Sequence, residues 1–346
     1  MNRFSGSVAA WMIRLVIAVR GLCGFGLAFE ALADSVWVVG PPVTQVTGAA
    51  LEFEKTLVAE LQHQALPSLS VQRLQTNTLT ASAHPPSLVV ALGSEALISL
   101  ARPGLGLLPN TPVLCVLMSQ HTYETTLKTY KAMASQAKDS QLPTIKWTAL
   151  YANQPLSRQL SLLSLALPKS QNLGVLWTPE NANTAEGERS SNSLLKLKKA
   201  VLERNLNLHI ETVHAGVPVY KPLSKLLGQV DVLWAIPNEQ IYNSASFQNI
   251  LLSSVRAGVP MMGFSAAYVR SGAMLGVYAT PQPMARQATL MVRDMLARGR
   301  DPEATVDSQF PKAFEVGVNL AVARSFGYTL DAAQLQIRLE SLERAP

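Results

Sequence analysis

Cysteine is scarce in this chain of 346 residues, which contains 2 cysteines, Cys23 and Cys115. Cys23 lies in an N-terminal segment that we expect to be removed, so no disulfide can form within the remaining chain. Cys115 lies in the apolar run 113–117. That setting indicates a small buried core residue rather than a reactive thiol.

Motifs for metal and phosphate chemistry are also missing. The sequence has no CxxC pair and no HExxH pattern, and its 5 histidines are scattered along the chain. Zinc sites need such ligands at defined spacings, and nucleotide phosphates need a glycine-rich loop of the GxxxxGK type, which is absent as well. The sequence therefore predicts neither a metal site nor a cofactor.

The signatures of nucleophilic or redox enzymes are incomplete. The segment 263–267 is similar to the turn that presents a catalytic serine, but it ends in Ala267 instead of glycine, and no histidine follows it. The glycine-rich segment 104–109 lacks the third glycine of a dinucleotide loop and precedes its strand rather than following it. We expect no catalytic residue and no enzymatic activity.

Charged residues are few, at 15% of the sequence, whereas 48% of the residues are hydrophobic and the formal net charge is +6. This composition is typical of a globular protein with a sizeable core. Basic residues are scattered, apart from Lys196, Lys198 and Lys199, whose spacing is typical of a solvated helix face. We therefore expect no nucleic-acid partner.

A long uninterrupted apolar span is missing at the N-terminus, because Arg14 and Arg20 interrupt the stretch. This pattern argues against a stable transmembrane anchor. The apolar segment instead ends in the small-residue pattern Ala-Leu-Ala at 31–33, as a signal peptidase requires. We expect residues 1–33 to be a signal peptide that is cleaved after Ala33, which would make the mature protein periplasmic.

What the sequence does contain is a regular alternation of short apolar runs and amphipathic segments. The pattern runs from residue 35 to about 117, loosens over 127–144, and resumes from 146, with a long helix expected at 241–257. Such alternation predicts parallel sheets covered by helices. The predicted fold class is therefore α/β, with two doubly wound parallel-sheet lobes facing each other across a cleft.

The order of segments also predicts the lobe boundaries. We expect lobe I to contain residues 34–150 plus about 267–303. We expect lobe II to contain residues 151–266 plus about 304–346. The chain would then pass between the lobes several times.

Polar and aromatic residues follow several predicted strands, where ligands of open parallel sheets bind. Gly93 and Ser94 lie at a strand end, and Glu95 opens the predicted helix, so the free N–H groups there can hold an anion, and Ser94 also suits the N-cap position. An aromatic ring at a strand end can stack on a planar ligand, although turn formation and core packing explain the same residue types. The strand-end candidates of the second series are Thr178, Asn181, Asn238, Glu239, Phe264, Ser265 and Tyr278.

Several segments together resemble a known family. Residues 174–183 read GVLWTPENAN, residues 91–94 read ALGS, and residues 111–114 read TPVL. Further along, the chain carries Gly-Val-Pro at 258–260 and the run VNLAVARSFGY at 318–328. Over about 91–330 the sequence looks like the ABC-transporter substrate-binding family whose better-known members bind aromatic amino acids.

The resemblance implies the type I periplasmic binding protein fold, in which two lobes joined by three crossings close on a solute. It adds Ser119 and Gln120 as ligand contacts, because Met118-Ser119-Gln120 stands where members carry Thr-Asp-Pro. Members also commonly have Thr-Asp where this chain has Pro237-Asn238. An ammonium group in a dry cleft needs a carboxylate or several acceptors, and Glu239 is the candidate substitute.

We therefore expect an exported solute-binding protein that captures a small polar or aromatic, amino-acid-like ligand and delivers it to an ABC transporter permease. Two alternatives stay open. The same fold serves as a ligand-sensing subunit for a membrane kinase or other sensor. The missing acids also fit a family member that has lost its ligand and acts through protein contacts.

Overall fold

The computed structural model describes residues 34–46, 48–64, 69–80, 84–101, 104–136, 144–178, 185–214, 216–238, 240–243, 245–301 and 303–344. Three sequence predictions fall outside these ranges. They are the signal peptide at 1–33 and the ligand contacts Asn181 and Glu239.

The first sheet has five strands in the order β2-β1-β3-β4-β5, and all of its neighbours pair in parallel. Its inner strands form from nearly continuous apolar runs because both of their faces are covered, as in β3, where every residue is buried. Edge strand β2 is more polar and more exposed. The strands are β1 (Ser35–Gly40), β2 (Ser70–Gln75), β3 (Leu88–Leu92), β4 (Thr111–Val116) and β5 (Ile145–Ala149).

Helices cover both faces of this sheet. Strand β1 shows the division, because Val36 and Val38 pack into one apolar cluster whereas Trp37 and Val39 pack into the other. The first cluster is completed by α1 (Gly48–Gln64) and α9 (Pro281–Arg298). The second is completed by α2 (Gly93–Ser99) and α3 (Gln120–Gln136).

The second sheet has six strands in the order β11-β10-β9-β8-β6-β7. All pairs are parallel except β10 with β11, which is antiparallel. Apolar clusters again lie on both faces. The strands are β6 (Asn172–Trp177), β7 (Asn207–Thr212), β8 (Val232–Trp234), β9 (Met261–Gly263), β10 (Leu275–Tyr278) and β11 (Glu315–Val318).

Helices of the second sheet complete its two faces. The α4 and α11 helices pack against each other beside β10 and β11. On the other face, α6 and α7 are in contact. The helices are α4 (Leu156–Ala166), α5 (Ala185–Leu202), α6 (Tyr220–Leu227), α7 (Phe247–Arg256), α8 (Ala266–Ser271), α10 (Leu320–Ser325) and α11 (Ala332–Arg344).

The chain passes between the sheets at three places in the described residues. The first connects β5 to α4, and the second connects β10 to α9, which packs on α1 of the first sheet. The third returns from α9 to β11. A parallel bridge between Leu150 and Gln309 joins the first and third crossings side by side.

These observations confirm the predicted fold class of two doubly wound α/β lobes. Hereafter lobe I is the first sheet with its helices, and lobe II is the second sheet with its helices. Strand β10 pairs within the sheet of lobe II, whereas α9 packs on lobe I. The second crossing therefore lies between Tyr278 and Pro281, later than the expected boundary near 267.

Two segments differ from the expected secondary structure. The region expected to be loose from 127 includes most of α3, because Tyr123, Leu127 and Tyr130 recur at helical spacing and pack on the core of lobe I. The helix expected from 241 begins at Phe247 instead. The preceding residues form a turn in which the Asn243 side chain accepts the backbone N–H of Ser246 at 3.1 Å.

Candidate ligand-binding site

A cavity of about 270 Å³ lies between the two lobes, at the carboxyl ends of their strands. Lobe I contributes the residues that follow β4 and β5, and lobe II contributes those that follow β6 and β8. Helices α3 and α5 add side chains from their cavity-facing sides. The lining residues are Ser119, Gln120, His121, Glu124, Asn153, Pro155, Leu156, Leu176, Trp177, Thr178, Ser193, Lys196, Leu197, Ile236, Pro237, Asn238 and Phe310.

The wall from lobe I is built by the tight turn between β4 and α3. Leu117 adopts a φ of 60°, a left-handed conformation that is uncommon for leucine and redirects the chain after the buried strand. The hydroxyl of Ser119 then accepts the backbone N–H of Thr122 at 3.1 Å, which caps α3. The Gln120 N–H donates to Asn153 Oδ1 at 2.7 Å, so the turn is tied to the first crossing.

The wall from lobe II joins two neighbouring strand ends. Asn238 follows β8 and donates from Nδ2 to Thr178 Oγ1, at 3.1 Å, after β6. The Asn238 Oδ1 accepts the Gln240 N–H at 3.0 Å. These bonds hold Asn238 in place, and the Thr178 hydroxyl, which accepts from Asn238, can still donate to a ligand. Trp177, half-buried at the end of β6, supplies the aromatic surface beside them.

Side chains of α3 and α5 meet across the mouth of the cavity. His121 Nδ1 lies 3.4 Å from Ser193 Oγ, and the His121 ring centroid lies 6.1 Å from that of Trp177. Glu124 Oε1 lies 3.9 Å from Lys196 Nζ and accepts Gln120 Nε2 at 2.9 Å. Because both charged side chains are partly exposed, the ion pair contributes about 0–1 kcal/mol. It places opposite charges on opposite lobes.

The floor of the cavity consists of the crossings and the aromatic residues beneath them. Phe310 packs on Tyr151 with ring centroids 4.9 Å apart, and Tyr151 in turn lies 5.9 Å from Tyr123. Burial raises the pKa of both phenols, and the hydrogen bond to Ser308 only partly offsets this. Both phenols therefore stay neutral at physiological pH.

A sequence model described as "ABC transporter substrate binding protein" matches residues 128–337, which is more than half of the chain. The chain belongs to this family. The members are binding proteins rather than enzymes, in agreement with the absence of catalytic motifs from the sequence. They are typically exported. In the part of the chain that the structure describes, no helix has the length and apolarity needed to cross a membrane.

Solved structures share the fold at low sequence identity. An ABC domain from Streptococcus pneumonia in complex with L-Trp has 14% identity and a TM-score of 0.57, covering 88% of this chain and 97% of that chain. A conserved domain protein from Vibrio cholerae has 15% identity and a TM-score of 0.58, covering 88% and 98%.

A substrate-binding protein with adhesive properties from Clostridium difficile, in a ligand-free, open structure, has 12% identity and a TM-score of 0.58. The match covers 86% of this chain and 96% of that chain. No curated protein matches the chain by sequence.

The structure brings four of the predicted ligand contacts together in this family member. They line the cavity from both lobes and are Ser119, Gln120, Thr178 and Asn238. Their roles as ligand contacts stay predictions.

Two other predicted contacts lie elsewhere on lobe I. Gly93 and Ser94 form the first turn of α2, whose N-cap is Leu92, so the expected capping role of Ser94 is wrong. Ser94 is exposed, and neither residue lines the cavity. The sequence pattern here predicts a strand followed by a helix, and such a pattern defines the first residue of the helix only to within a residue or two.

The three predicted contacts after β9 and at β10 also lie outside the cavity lining. The ring of Phe264 packs 4.3 Å from that of Tyr268, and Ser265 caps α8 through the Tyr268 N–H. Tyr278 lies over Gly317, where an added Cβ would come within 2.7 Å of its hydroxyl. In this structure Phe264 and Tyr278 pack against neighbouring residues, and Ser265 caps α8.

Several cavity residues carried no distinct signal in the sequence. Trp177 precedes a predicted contact at a strand end and could have been included by that position. The scattered histidines, among them His121, give no sign of a shared site, and the spacing of Lys196 is typical of a solvated helix face. Lys196 is largely exposed but also lines the cavity, because α5 reaches over the cleft from lobe II. Among the described residues, no cluster of side chains suited to a metal ion is found.

Proposed function

We propose that this protein captures a small polar or aromatic, amino-acid-like molecule between its lobes and delivers it to the permease of an ABC transporter. The observation that carries the proposal is the cavity bordered by strand-end loops of both lobes. A ligand that touches both walls stabilises the closed arrangement over an open one, because the open form has only one wall in contact.

The size and chemistry of the cavity support a small ligand. Its volume of about 270 Å³ lies just below the roughly 300–1,000 Å³ typical of pockets for drug-sized molecules. Trp177 and Phe310 offer aromatic surfaces, and Thr178 offers a hydroxyl donor. A compact molecule with an apolar body and a few polar groups matches this lining.

The charges in the lining support an amino-acid-like ligand. Two acids that members commonly carry in the strand-end loops are absent, but Glu124 supplies a carboxylate from the first turns of α3. Lys196 supplies a cation from the opposite lobe. A ligand with both an ammonium and a carboxylate group can pair with both side chains. The L-Trp in the structure from Streptococcus pneumonia motivates testing aromatic amino acids first.

The hydrogen bonds of the loop side chains favour an intact site over a family member that has lost its ligand. Loss of the ligand would be expected to leave apolar or unpaired loop ends at Ser119 and Asn238. Both side chains are instead hydrogen bonded, to Thr122 and Thr178 respectively. The loops are therefore held in fixed positions on both sides of the cavity, as ligand binding requires.

Export is part of the proposal. We infer that residues 1–33 are a signal peptide and that the protein acts in the periplasm, where a solute-binding protein meets its permease. N-terminal sequencing of the exported protein would start at Asp34 under this proposal. A mature chain that starts at Met1 would contradict it.

Ligand screening by thermal shift and tryptophan fluorescence tests the binding step. A panel of amino acids and small aromatic acids is expected to contain a compound that raises the melting temperature, because ligands that bind only the folded state stabilise it. Trp37 and Trp234 are buried, and Trp147 lies outside the cavity lining, so a fluorescence change on binding is expected to come mainly from Trp177.

Trp177→Phe tests whether this residue contacts the ligand, and Trp147→Phe is the control. Trp177→Phe is expected to abolish most of the fluorescence response and to weaken binding about 2- to 13-fold, from the roughly 0.5–1.5 kcal/mol of an aromatic contact. Trp147→Phe, which alters a ring packed 4.7 Å from Tyr130 inside lobe I, is expected to leave affinity unchanged. If no compound of the panel or of native extracts shifts the melting temperature, the binding function is contradicted.

The delivery step is tested with the ligand that the screen identifies. Cells lacking this chain are expected to lose high-affinity uptake of that compound and to regain it on complementation with the parent chain. Normal uptake combined with loss of a ligand-dependent signal would instead indicate the sensing subunit.

A further inference from the structure

Four buried polar side chains lie directly beneath the floor of the cavity. Their residues are Gln154, Arg158, Gln159 and Gln287, with exposed fractions of 3%, 8%, 5% and 9%. Buried polar groups are destabilising unless they are hydrogen bonded. Most of the hydrogen bonds of this cluster are made to the first and third crossings between the lobes.

Arg158, on α4 of lobe II, binds both crossings at once. Its Nη1 donates to Gln154 Oε1 at 2.5 Å and to the Pro311 carbonyl at 2.8 Å. Its other edge pairs with the Glu343 carboxylate of α11, and its guanidinium carbon lies 4.1 Å from the ring centroid of Phe314. The planar fork of arginine allows these contacts simultaneously, which lysine cannot reproduce.

Gln287, on α9 of lobe I, holds the third crossing from the other side. Its Nε2 donates to the Phe310 carbonyl at 3.1 Å, and its Oε1 accepts the Lys312 N–H at 2.9 Å. The residues on either side of Pro311 are thus fixed to lobe I, whereas the Pro311 carbonyl is fixed to lobe II. Within the third crossing, a rotation of one lobe against the other has to be absorbed by these few residues.

The same contacts fix the cavity floor. Phe310 lines the cavity, and its own carbonyl is the acceptor for Gln287. Asn153 also lines the cavity and donates to the Gln154 carbonyl at 3.2 Å, which Gln159 binds as well at 2.8 Å. The buried layer and the ligand-facing floor are therefore one hydrogen-bonded unit.

We propose that Arg158 and Gln287 are positioning residues of the hinge. They bind the third crossing from opposite lobes and thereby restrict the angle between the lobes. They also position Phe310 and Asn153 in the cavity floor. The proposal rests on the proposed function insofar as closure serves ligand capture. The hinge itself can be measured without a ligand, so a failure to find the ligand leaves the result interpretable.

The test measures the distance between the lobes in the ligand-free mature chain. Spin labels are placed at Lys131→Cys on α3 and Lys198→Cys on α5, which are exposed positions, while the native Cys115 is buried and stays unlabelled. Pulsed electron double resonance then gives the distance distribution. In the background of Arg158→Lys, we expect a distribution at least about twice as broad as that of the parent, because the hinge angle is no longer restricted.

Arg73→Lys is the matched control. Arg73 also binds an acid and backbone carbonyls, pairing with Glu54 at 2.5 Å and donating to the Pro41 carbonyl at 2.6 Å, but all of its partners lie in lobe I. This variant is expected to lower the melting temperature and to leave the interlobe distribution unchanged. Gln287→Met is a second test variant, which is expected to broaden the distribution even if Arg158→Lys fails to fold.

The proposal is supported if Arg158→Lys or Gln287→Met broadens the distribution and Arg73→Lys does not. It is overturned if the folded hinge variants keep the distribution of the parent. It is also overturned if Arg73→Lys broadens the distribution to the same extent, because the effect would then report general loss of stability.

Discussion

Replacement of Gly276 by alanine tests how closely the strands of lobe II approach each other. Gly276 of β10 pairs with Gly263 of β9, and an added Cβ at Gly276 would lie 2.7 Å from the Gly263 carbonyl oxygen and 3.1 Å from Cγ2 of Val269. The first contact is with backbone, which cannot rotate away as a side chain can. Either β10 moves away from β9 or α8, which carries Val269, lifts off the sheet.

Overpacking of this kind costs about 1–3 kcal/mol. At about 2–4 °C per kcal/mol for a domain of 150–250 residues, the melting temperature of Gly276→Ala is expected to fall by about 2–12 °C. Calorimetry of the ligand-free protein measures this.

Gly228→Ala is the control, because its Cβ would meet nothing nearer than 3.7 Å. Its φ of −77° also suits alanine. This change is expected to be neutral or stabilising by about 0.4–1 kcal/mol. Equal melting temperatures for Gly276→Ala and the parent would refute the described packing of β9, β10 and α8.

Three further substitutions or probes test other parts of the fold. Burial acts to raise the pKa of Asp231, but hydrogen bonds from Asn172 and Gln171 outweigh it and hold the pKa below its ordinary value of 3.8. Asp231→Asn is therefore expected to be less stable than the parent at neutral pH. In urea titrations the difference in stability is expected to shrink as the pH falls below 3.8 and through the lower pKa of the folded state; a difference independent of pH would contradict this. Burial also raises the pKa of Cys115, so a disulfide reagent is expected to react with it only after unfolding, and rapid reaction of the native protein would show that the strand is accessible. Leu160→Ala empties a fully buried position in lobe II and is expected to cost about 2–5 kcal/mol in the free energy of unfolding; a loss below about 1 kcal/mol would indicate a loosely packed core.

Much of the fold follows from the sequence because the buried strands of parallel sheets are continuous apolar runs. The runs at β3 and β4 are clear for that reason. Helix α3 is harder to predict, since its mean composition is polar and its contact with the core depends on a few residues such as Tyr123 and Tyr130. The apolar spacing predicts the start of α7 too early, because local hydrogen bonds of Asn243 compete with helix formation there.

The candidate site was predicted only in part. Ser119, Thr178 and Asn238 follow strands directly, so their position at the carboxyl edge of a sheet can be inferred from order alone. Glu124 and Lys196 lie within helices, and they reach the cavity because α3 and α5 come together across the cleft. That arrangement depends on how the two lobes pack, which no local pattern encodes.

A crystal structure of the protein with a compound from the thermal-shift screen shows directly whether the lobes hold a ligand between them. We expect one ligand molecule in the cavity, in contact with Trp177 of lobe II and with residues at the start of α3 in lobe I. Its polar groups are expected within hydrogen-bond distance of Thr178 and of Glu124 or Lys196. A ligand that contacts a single lobe, or that lies outside this cavity, would contradict capture between the lobes.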